Sequence, residues 1–226
     1  MKVGDGFSMS LVKSIKTIAG RAAKRFRRRS RYDELAKNLT IAPHTKVRGE
    51  GRITFGDDVY IGPFSQIKAM TKTGFLARHP NGEHMDQDFD GSISIGNRVS
   101  VNSGLHLAAY RYVSIGDDVL IASNVYIVDA FHGYERGDVP YKYQGMSGMA
   151  PIVIKKGCWI GQNVCIMPGV TIGEYCIVGA NSVVTKSIPD QSIAVGVPAR
   201  VIKYWDRIEE KWVPVDRTRE DESGGE

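Results

Sequence analysis

The sequence predicts a mainly β protein built as a parallel β-helix, and three observations support that fold class. Aliphatic residues recur every six positions over long stretches of the chain. A second row of aliphatic or small residues follows four positions later, and glycine often follows the first row directly. An even period keeps side chains on one face of an extended chain, whereas a helix would repeat about every 3.6 residues. Such hexapeptide repeats are typical of a parallel β-helix.

The six-residue spacing is regular enough to predict the coils. Its first row consists of Phe55, Ile61, Ile67; Ile95, Val101, Leu107; Ile115, Ile121, Ile127; and Ile154, Ile160, Ile166, Ile172, Val178, Val184. Three units make a triangular coil, and coils stack about 4.8 Å apart, so that stacking buries a continuous apolar column. We predict about five to six coils over residues 41–204, with residues 41–53 as a partial first coil.

The repeat is interrupted at three places. Two residues are added between Leu107 and Ile115, and much longer insertions follow Ile67 and Ile127. Long excursions from a regular solenoid tend to carry function. We therefore expect protruding loops at 68–92 and 129–151, and the second loop is the main candidate for a functional site.

Both ends of the chain differ from the repeat. Residues 1–40 are predicted to form a basic amphipathic helical segment, since residues 1–32 carry 10 Lys/Arg against one acidic residue. This segment could pack as a solvated helix on the solenoid or contact a membrane surface. We expect no nucleic-acid partner, because the remaining residues carry 20 Lys/Arg against 24 Asp/Glu. Residues 205–226 are predicted to be a polar tail.

Composition excludes several classes of protein. No apolar run approaches the ~20 residues of a membrane span. Lys13, Lys16 and Arg21 interrupt the apolar residues near the N-terminus, unlike a signal peptide. Three cysteines do not suggest a disulfide framework, and Cys158 and Cys176 are expected to stack in the core. We expect a cytoplasmic protein, peripheral at the inner face of the membrane if its basic segment binds there.

The segment 152–203 resembles the left-handed β-helix acetyltransferases. The shared motifs are CWIGQNVCIMPGVTIGEYCIVGANSVVTKSIP and VGVPARVIK. Galactoside, maltose and serine acetyltransferases have this ending, as do transferases of surface polysaccharide synthesis, which HGYE, DVP and YQGM resemble most. The resemblance covers 90–204 well and 41–90 more loosely. It implies left-handed coils, a homotrimer with active sites between subunits, and acetyl-CoA as donor without a metal.

The resemblance also implies the catalytic residues. His132 in VDAFHGYE occupies the position of the family's catalytic histidine, and an imidazole with a pKa near ~6.5 can accept the acceptor's proton. Related polysaccharide transferases often read Asp-His-x-His, whereas this chain has Asp129-Ala130-Phe131-His132 and lacks the first histidine. The oxyanion donor is expected to be a backbone N–H near Gln162.

Acceptor-binding and donor-binding residues follow from the same resemblance. Asn102, Asp129 and Trp159 are expected to contact the acceptor. Each also has a purely structural alternative: Asn102 as a corner residue, Asp129 as a turn residue, and Trp159 as a residue packed on the outer face. The pantetheine arm is expected against backbone groups around Gly161, Gly179 and Ala180, and the nucleotide phosphates at Thr185, Lys186 and Arg200.

These expectations define one leading function and three alternatives. The leading function is an O-acetyltransferase that modifies a sugar hydroxyl, in surface polysaccharide or lipopolysaccharide synthesis. An N-acetyltransferase of an amino sugar or nucleotide sugar would share its donor and base. A zinc carbonic anhydrase using His79 and His84 lacks a third ligand on the repeat. A non-catalytic solenoid scaffold is the remaining alternative.

Overall fold

Short strands form nearly all regular structure in the computed structural model, which describes residues 36–49, 51–72 and 87–216. The first three coils contain β1 (Thr40–Ile41), β2 (Lys46–Arg48), β3 (Ile53–Phe55), β4 (Tyr60–Ile61), β5 (Gln66–Ala69), β6 (Ser92–Ile95), β7 (Ser100–Val101), β8 (His106–Ala109) and β9 (Tyr112–Ile115). The fourth contains β10 (Leu120–Ile121), β11 (Tyr126–Val128), β12 (Phe131–His132), a 3₁₀ turn (Tyr141–Tyr143), β13 (Met146–Ser147) and β14 (Ile152–Ile154). The last strands are β15 (Trp159–Ile160), β16 (Cys165–Ile166), β17 (Thr171–Ile172), β18 (Ile177–Val178), β19 (Val183–Val184), β20 (Ser192–Gly196), β21 (Ala199–Asp206) and β22 (Lys211–Pro214).

Three sheets form the sides of a triangular prism. Sheet A has the order β1-β4-β7-β10-β15-β18-β20-β21-β22, sheet B has β19-β16-β11-β8-β5-β2, and sheet C has β17-β14-β9-β6-β3. Each coil gives one parallel strand to each sheet, and Ile154 pairs with Ile172, eighteen residues later. Five coils are complete, and an Ile172–Ile188 bridge closes a sixth. The predicted parallel β-helix and its number of coils are confirmed.

The core is the stacked aliphatic column that the six-residue spacing predicts. Ile61, Val101, Ile121, Ile160 and Val178 form one row along sheet A, and each is fully buried. Full burial of one such side chain contributes roughly 1.5–3 kcal/mol. Because each row runs through all coils, a coil cannot keep its apolar side chains from water without its neighbours.

Cys158 and Cys176 belong to this core as buried free thiols, as their spacing predicts. The Cys158 thiol donates to the Gly173 carbonyl at 2.9 Å, and the Cys176 thiol donates to the Pro189 carbonyl at 3.0 Å. The neighbouring Cys176 thiol and burial both raise the pKa of Cys158. A thiol held protonated in this way packs the core and is a poor nucleophile.

The corner between sheets A and B, called the A–B corner, turns through left-handed backbone. Phe64, Gly104, Asn124, Asn163 and Asn181 occupy equivalent corner positions with φ between 57° and 66°. Asn and Gly visit this region at low cost, which explains their recurrence there. The opposite edge of sheet B, called the B–C corner, is where both long excursions leave the prism.

The chain reverses its direction after β20, at the C-terminal end of the solenoid. Strand β21 runs antiparallel to β20 and β22, and this extends sheet A beyond the last coil. Trp205 and Trp212 face each other edge to face, with ring centroids 5.5 Å apart. The predicted polar tail from residue 205 therefore begins too early, because strand pairing continues to Pro214. Residues 217–226 lie outside the described residues.

Other predictions fall outside the described chain. Of the helical segment predicted at 1–40, only 36–40 are described, and they form a turn followed by the start of β1. The central part of loop 68–92 is also outside, including the His79 and His84 pair. The stem of this loop is described, and Lys72 bridges Asp88 in antiparallel fashion.

Candidate active site

The excursion at 129–151 folds over the B–C corner as an antiparallel strand pair. His132 on β12 pairs with Met146 on β13. Gln87, at the end of the other excursion, fixes β13 because its amide accepts from the Met146 N–H at 2.7 Å and donates to the Met146 carbonyl at 3.2 Å. The backbone that carries His132 is thus tied to both long loops. Sequence analysis did not find Gln87, since nothing in the repeat marks it.

Asp129 anchors the start of this excursion. Its side chain is fully buried, and its carboxylate accepts hydrogen bonds from the backbone N–H groups of Tyr110, Arg111 and Tyr112 at 2.6, 2.8 and 2.7 Å. Its own carbonyl accepts from the N–H of Ala150, where the excursion ends. Both carboxylate oxygens thus accept backbone hydrogen bonds, which favours the structural alternative, a turn residue, over contact with the acceptor.

A cavity of about 430 Å³ lies beneath the excursion, on the outer surface of sheet B. Strands β8 and β11, the excursion and the end of β16 line it, through His106, Ala108, Tyr110, Tyr126, Val128, Ala130, Phe131, His132, Met146, Met167 and Pro168. The lining combines aromatic and apolar surface with two imidazoles. His132 is exposed, so its ring is accessible to a molecule in this cavity.

His106 is a second histidine of this cavity, which sequence analysis left without a role. Its ring stacks on Tyr126, with centroids 5.1 Å apart and planes 7° from parallel. Burial and the nearby Lys68 both lower the pKa of His106. Burial, together with Tyr126 and Asp129, raises the pKa of Tyr110. At neutral pH the wall of the cavity therefore offers a neutral imidazole and phenolic hydroxyls, which can donate or accept hydrogen bonds.

The A–B corner contains several of the other predicted residues. The N–H groups of Asn102, Gly161 and Gly179 donate to carbonyls of the next coil at 2.8–2.9 Å, so these three donors are used within the solenoid. The N–H groups of Gln162 and Ala180 donate no hydrogen bond within the described ranges. Gly161 instead allows close stacking, since a Cβ there would lie 2.6 Å from the Ala180 nitrogen. The backbone N–H of Gln162, the predicted oxyanion donor, thus makes no hydrogen bond within the described ranges.

The remaining predicted residues lie on other surfaces than the His132 cavity. Trp159 is half exposed on the outer surface of sheet A. Thr185 and Lys186 are exposed just after β19, and Arg200 is exposed on β21, where its guanidinium donates to the Ala199 carbonyl at 3.0 Å. A single chain therefore does not bring the predicted acceptor and donor residues together with His132.

The described residues contain neither a candidate metal site nor a candidate membrane span. Within these ranges, no group of three or more His, Cys, Asp or Glu side chains could hold a metal ion. Within the same ranges, no helix has the length and apolar character that a membrane crossing requires. The zinc alternative with His79 and His84 is not tested by this result, because both lie outside the described chain.

The similarity of this chain to known proteins agrees with its hexapeptide repeat and its three sheets. Residues 151–186 match the family described as bacterial transferase hexapeptide (six repeats). The chain is 34% identical over 173 residues to the putative lipopolysaccharide biosynthesis O-acetyl transferase WbbJ of Escherichia coli, covering 74% of this chain and 79% of WbbJ. It is 40% identical over 115 residues to the galactoside O-acetyltransferase of Escherichia coli, covering 51% of this chain and 55% of that enzyme.

A solved structure supports the same fold. AntD, an N-acyltransferase from Bacillus cereus in complex with dTDP and 3-hydroxybutyryl-CoA, matches with a TM-score of 0.54 and 24% identity, covering 77% of this chain and 84% of AntD. Together, the triangular coils, the excursion and these relatives define a left-handed β-helix acyltransferase. The chain belongs to the hexapeptide-repeat acetyltransferase family.

Proposed function

We propose that this acetyltransferase moves the acetyl group of acetyl-CoA to a sugar hydroxyl, with His132 as the general base. The observation that carries the proposal is the exposed imidazole of His132 at the edge of the 430 Å³ cavity. Tyr126, Tyr110 and Phe131 give this cavity aromatic walls, against which the apolar face of a sugar ring can pack. Relatives named as O-acetyltransferases of lipopolysaccharide and of galactosides favour the same acceptor class.

The chemistry is a direct transfer without an acyl-enzyme. The acceptor oxygen attacks the thioester carbonyl as the His132 imidazole removes its proton. The new C–O bond forms, the C–S bond breaks, and the departing CoA thiolate receives the proton from the imidazolium. A backbone N–H such as that of Gln162 would stabilise the negative charge on the carbonyl oxygen. The neutral His106 and the Tyr126 hydroxyl can orient the acceptor by hydrogen bonds.

We further propose a homotrimer in which two chains complete each site. His132 lies at the B–C corner, whereas Asn102, Gln162 and Ala180 lie at the A–B corner, at the opposite edge of sheet B. A neighbouring subunit could bring its A–B corner and Trp159 against the cavity. Mixing His132→Ala chains with Trp159→Ala chains tests this arrangement. Mixed trimers should recover part of the activity that each pure variant lacks, and equal inactivity in every mixture would contradict shared sites.

The basic segment 1–32 is proposed to hold the enzyme at an anionic membrane surface, where a lipid-linked glycan acceptor would be present. Its 10 Lys/Arg against one acidic residue support this contact. Flotation with vesicles that contain phosphatidylglycerol compares the full chain with a deletion of residues 1–32. The full chain should float with the vesicles and the deletion should not. Equal behaviour of the two chains in the flotation would contradict the proposed contact of residues 1–32 with the membrane.

Transfer to an amine is the second candidate function, because AntD, which has the same fold, is an N-acyltransferase. The two are separated by incubating the enzyme with acetyl-CoA and matched acceptors such as galactose and galactosamine, followed by mass spectrometry and NMR of the products. The O-acetyl ester is the expected product. An amide formed only on the amino sugar would support the second function. Binding of acetyl-CoA without any acetylated product across the acceptor panel would favour a non-catalytic scaffold.

A further inference from the structure

A second cavity of about 370 Å³ adjoins the His132 cavity along sheet B. His106, Ala108 and Tyr110 line both cavities. The two cavities are therefore adjacent, and we treat them as two halves of one groove on the outer surface of sheet B, from the excursion towards the first coil. We call the half beyond His106 the basic half of the groove, for the residues that line it.

Three cationic side chains line the basic half of the groove. Arg48, Lys68 and Lys72 line it, and no acidic residue does so within the described ranges. Lys72 approaches Asp88 at 3.9 Å, but Arg48 and Lys68 have no acidic partner in the described chain. Lys68 is half-buried, so its charge is less screened by water than that of a fully exposed lysine.

The fold places two of these cations side by side. Arg48 on β2 and Lys68 on β5 are direct partners in the parallel ladder of sheet B. Directly paired residues on neighbouring strands place their side chains on the same face of the sheet, and like charges on such a pair are destabilising. An anion bound between them would remove this repulsion, and a phosphate dianion matches two adjacent cations in charge.

We propose that the basic half binds a phosphate group carried by the acceptor sugar, while the sugar hydroxyl reaches His132 at the other end of the groove. This inference rests on the proposed function, since it names the substrate class of the same site: a phosphorylated or diphosphate-linked sugar. Arg48 and Lys68 bind the phosphate oxygens, and His106 lies between the basic half and the aromatic half, since it lines both cavities. The effect of Lys68 on the His106 imidazole is consistent with a positive field that reaches this point.

The test measures phosphate binding without knowledge of the sugar. Inorganic pyrophosphate is titrated by calorimetry into the full chain saturated with CoA, so that the phosphate sites of CoA are already filled. Lys68→Met and Arg48→Met are each expected to weaken binding by about tenfold or more, as for the loss of a charged hydrogen-bond partner. Lys37→Met is the matched control, because Lys37 is exposed on the turn before β1 and does not line the groove.

Retained CoA binding shows that each variant is folded. Unchanged pyrophosphate affinity in Lys68→Met, or an equal loss in Lys37→Met, would overturn the proposal. Competition by glucose 1-phosphate, UDP-glucose and glucuronate then identifies the anion. Stronger competition by the two phosphorylated sugars is expected, and equal competition by glucuronate would overturn the assignment to phosphate.

The outcome also separates this inference from the proposed function. Pyrophosphate binding that depends on Lys68, without acetylation of any sugar, would leave the anion site in place and contradict the transferase proposal. In the opposite case, acetylation depends on His132 but pyrophosphate affinity is the same with and without Lys68. That result would support the proposed function and contradict the basic half as a phosphate site.

Discussion

The Asp129 carboxylate lies 2.6 Å from the backbone nitrogen of Tyr110 and is fully buried. This bond joins two interruptions of the repeat: the two-residue insertion before β9 and the long excursion that carries His132. The same carboxylate accepts hydrogen bonds from two further backbone N–H groups. One side chain therefore fixes both the turn before β9 and the start of the excursion that covers the cavity.

Asp129→Asn should therefore destabilise the protein and reduce its activity. The amide keeps the volume, but its NH₂ group faces backbone donors and leaves at least one of them unpaired. We expect a loss of about 3 kcal/mol in the free energy of unfolding, as for buried hydrogen bonds to a charged group. Urea unfolding measures it. Asp138→Asn, in the exposed Arg136–Asp138 ion pair of the same excursion, is the control and should cost much less, because water screens an exposed ion pair. Equal effects of the two substitutions would contradict the anchoring role of Asp129.

Gly62→Ala should be among the most damaging single-methyl additions in the solenoid. A Cβ at Gly62 would overlap the backbone oxygen of Asn102 in the next coil, and backbone cannot move aside as a side chain can. We expect a loss of about 3 kcal/mol or more, at the upper end of overpacking costs. Gly137→Ala is the control, because a Cβ there meets nothing within 4 Å. Similar denaturation midpoints for the two variants would show that the coils are not stacked this closely.

Lys68→Met should raise the pKa of His106. In the native protein, burial and the Lys68 charge both lower this pKa, so loss of the charge moves it upward, while burial still holds it below its ordinary value of ~6.5. The fraction of protonated His106 at mildly acidic pH should increase accordingly. An NMR titration of the imidazole resonances measures the shift, with Lys37→Met as the unchanged control. A pKa that stays the same or falls would place Lys68 too far from the groove to act on it.

The regular part of the fold could be predicted from sequence because each coil repeats the same local rule. An aliphatic residue every six positions fixes which side chains face inward, and identical spacing fixes the register, as Ile154 and Ile172 show. The paired core thiols of Cys158 and Cys176 follow from that register alone. The C-terminal hairpin was missed because the polar residues between Trp205 and Trp212 resemble a tail, although the two strands beside them pair through their backbones.

The candidate site was less predictable, since it is made where the repeat fails. His106 sits on a regular strand and gains its role only by stacking on Tyr126, twenty residues later, after the insertion has changed the spacing. Gln87 reaches Met146 from a different loop, a contact for which no periodicity exists. Asp129 resembled a functional carboxylate in sequence, and only its burial and three backbone partners reveal an anchor.

The most direct test of the account is the effect of His132→Ala on acetyl transfer, measured with acetyl-CoA affinity in the same preparation. A positioned general base contributes typically about 10²- to 10⁴-fold in rate, so kcat/KM for the acceptor should fall by such a factor while the Kd for acetyl-CoA stays constant. His44→Ala, whose exposed ring stacks on Phe64 away from the cavity, should keep wild-type turnover. Wild-type turnover by the His132→Ala enzyme would contradict the proposed role of His132 as the general base.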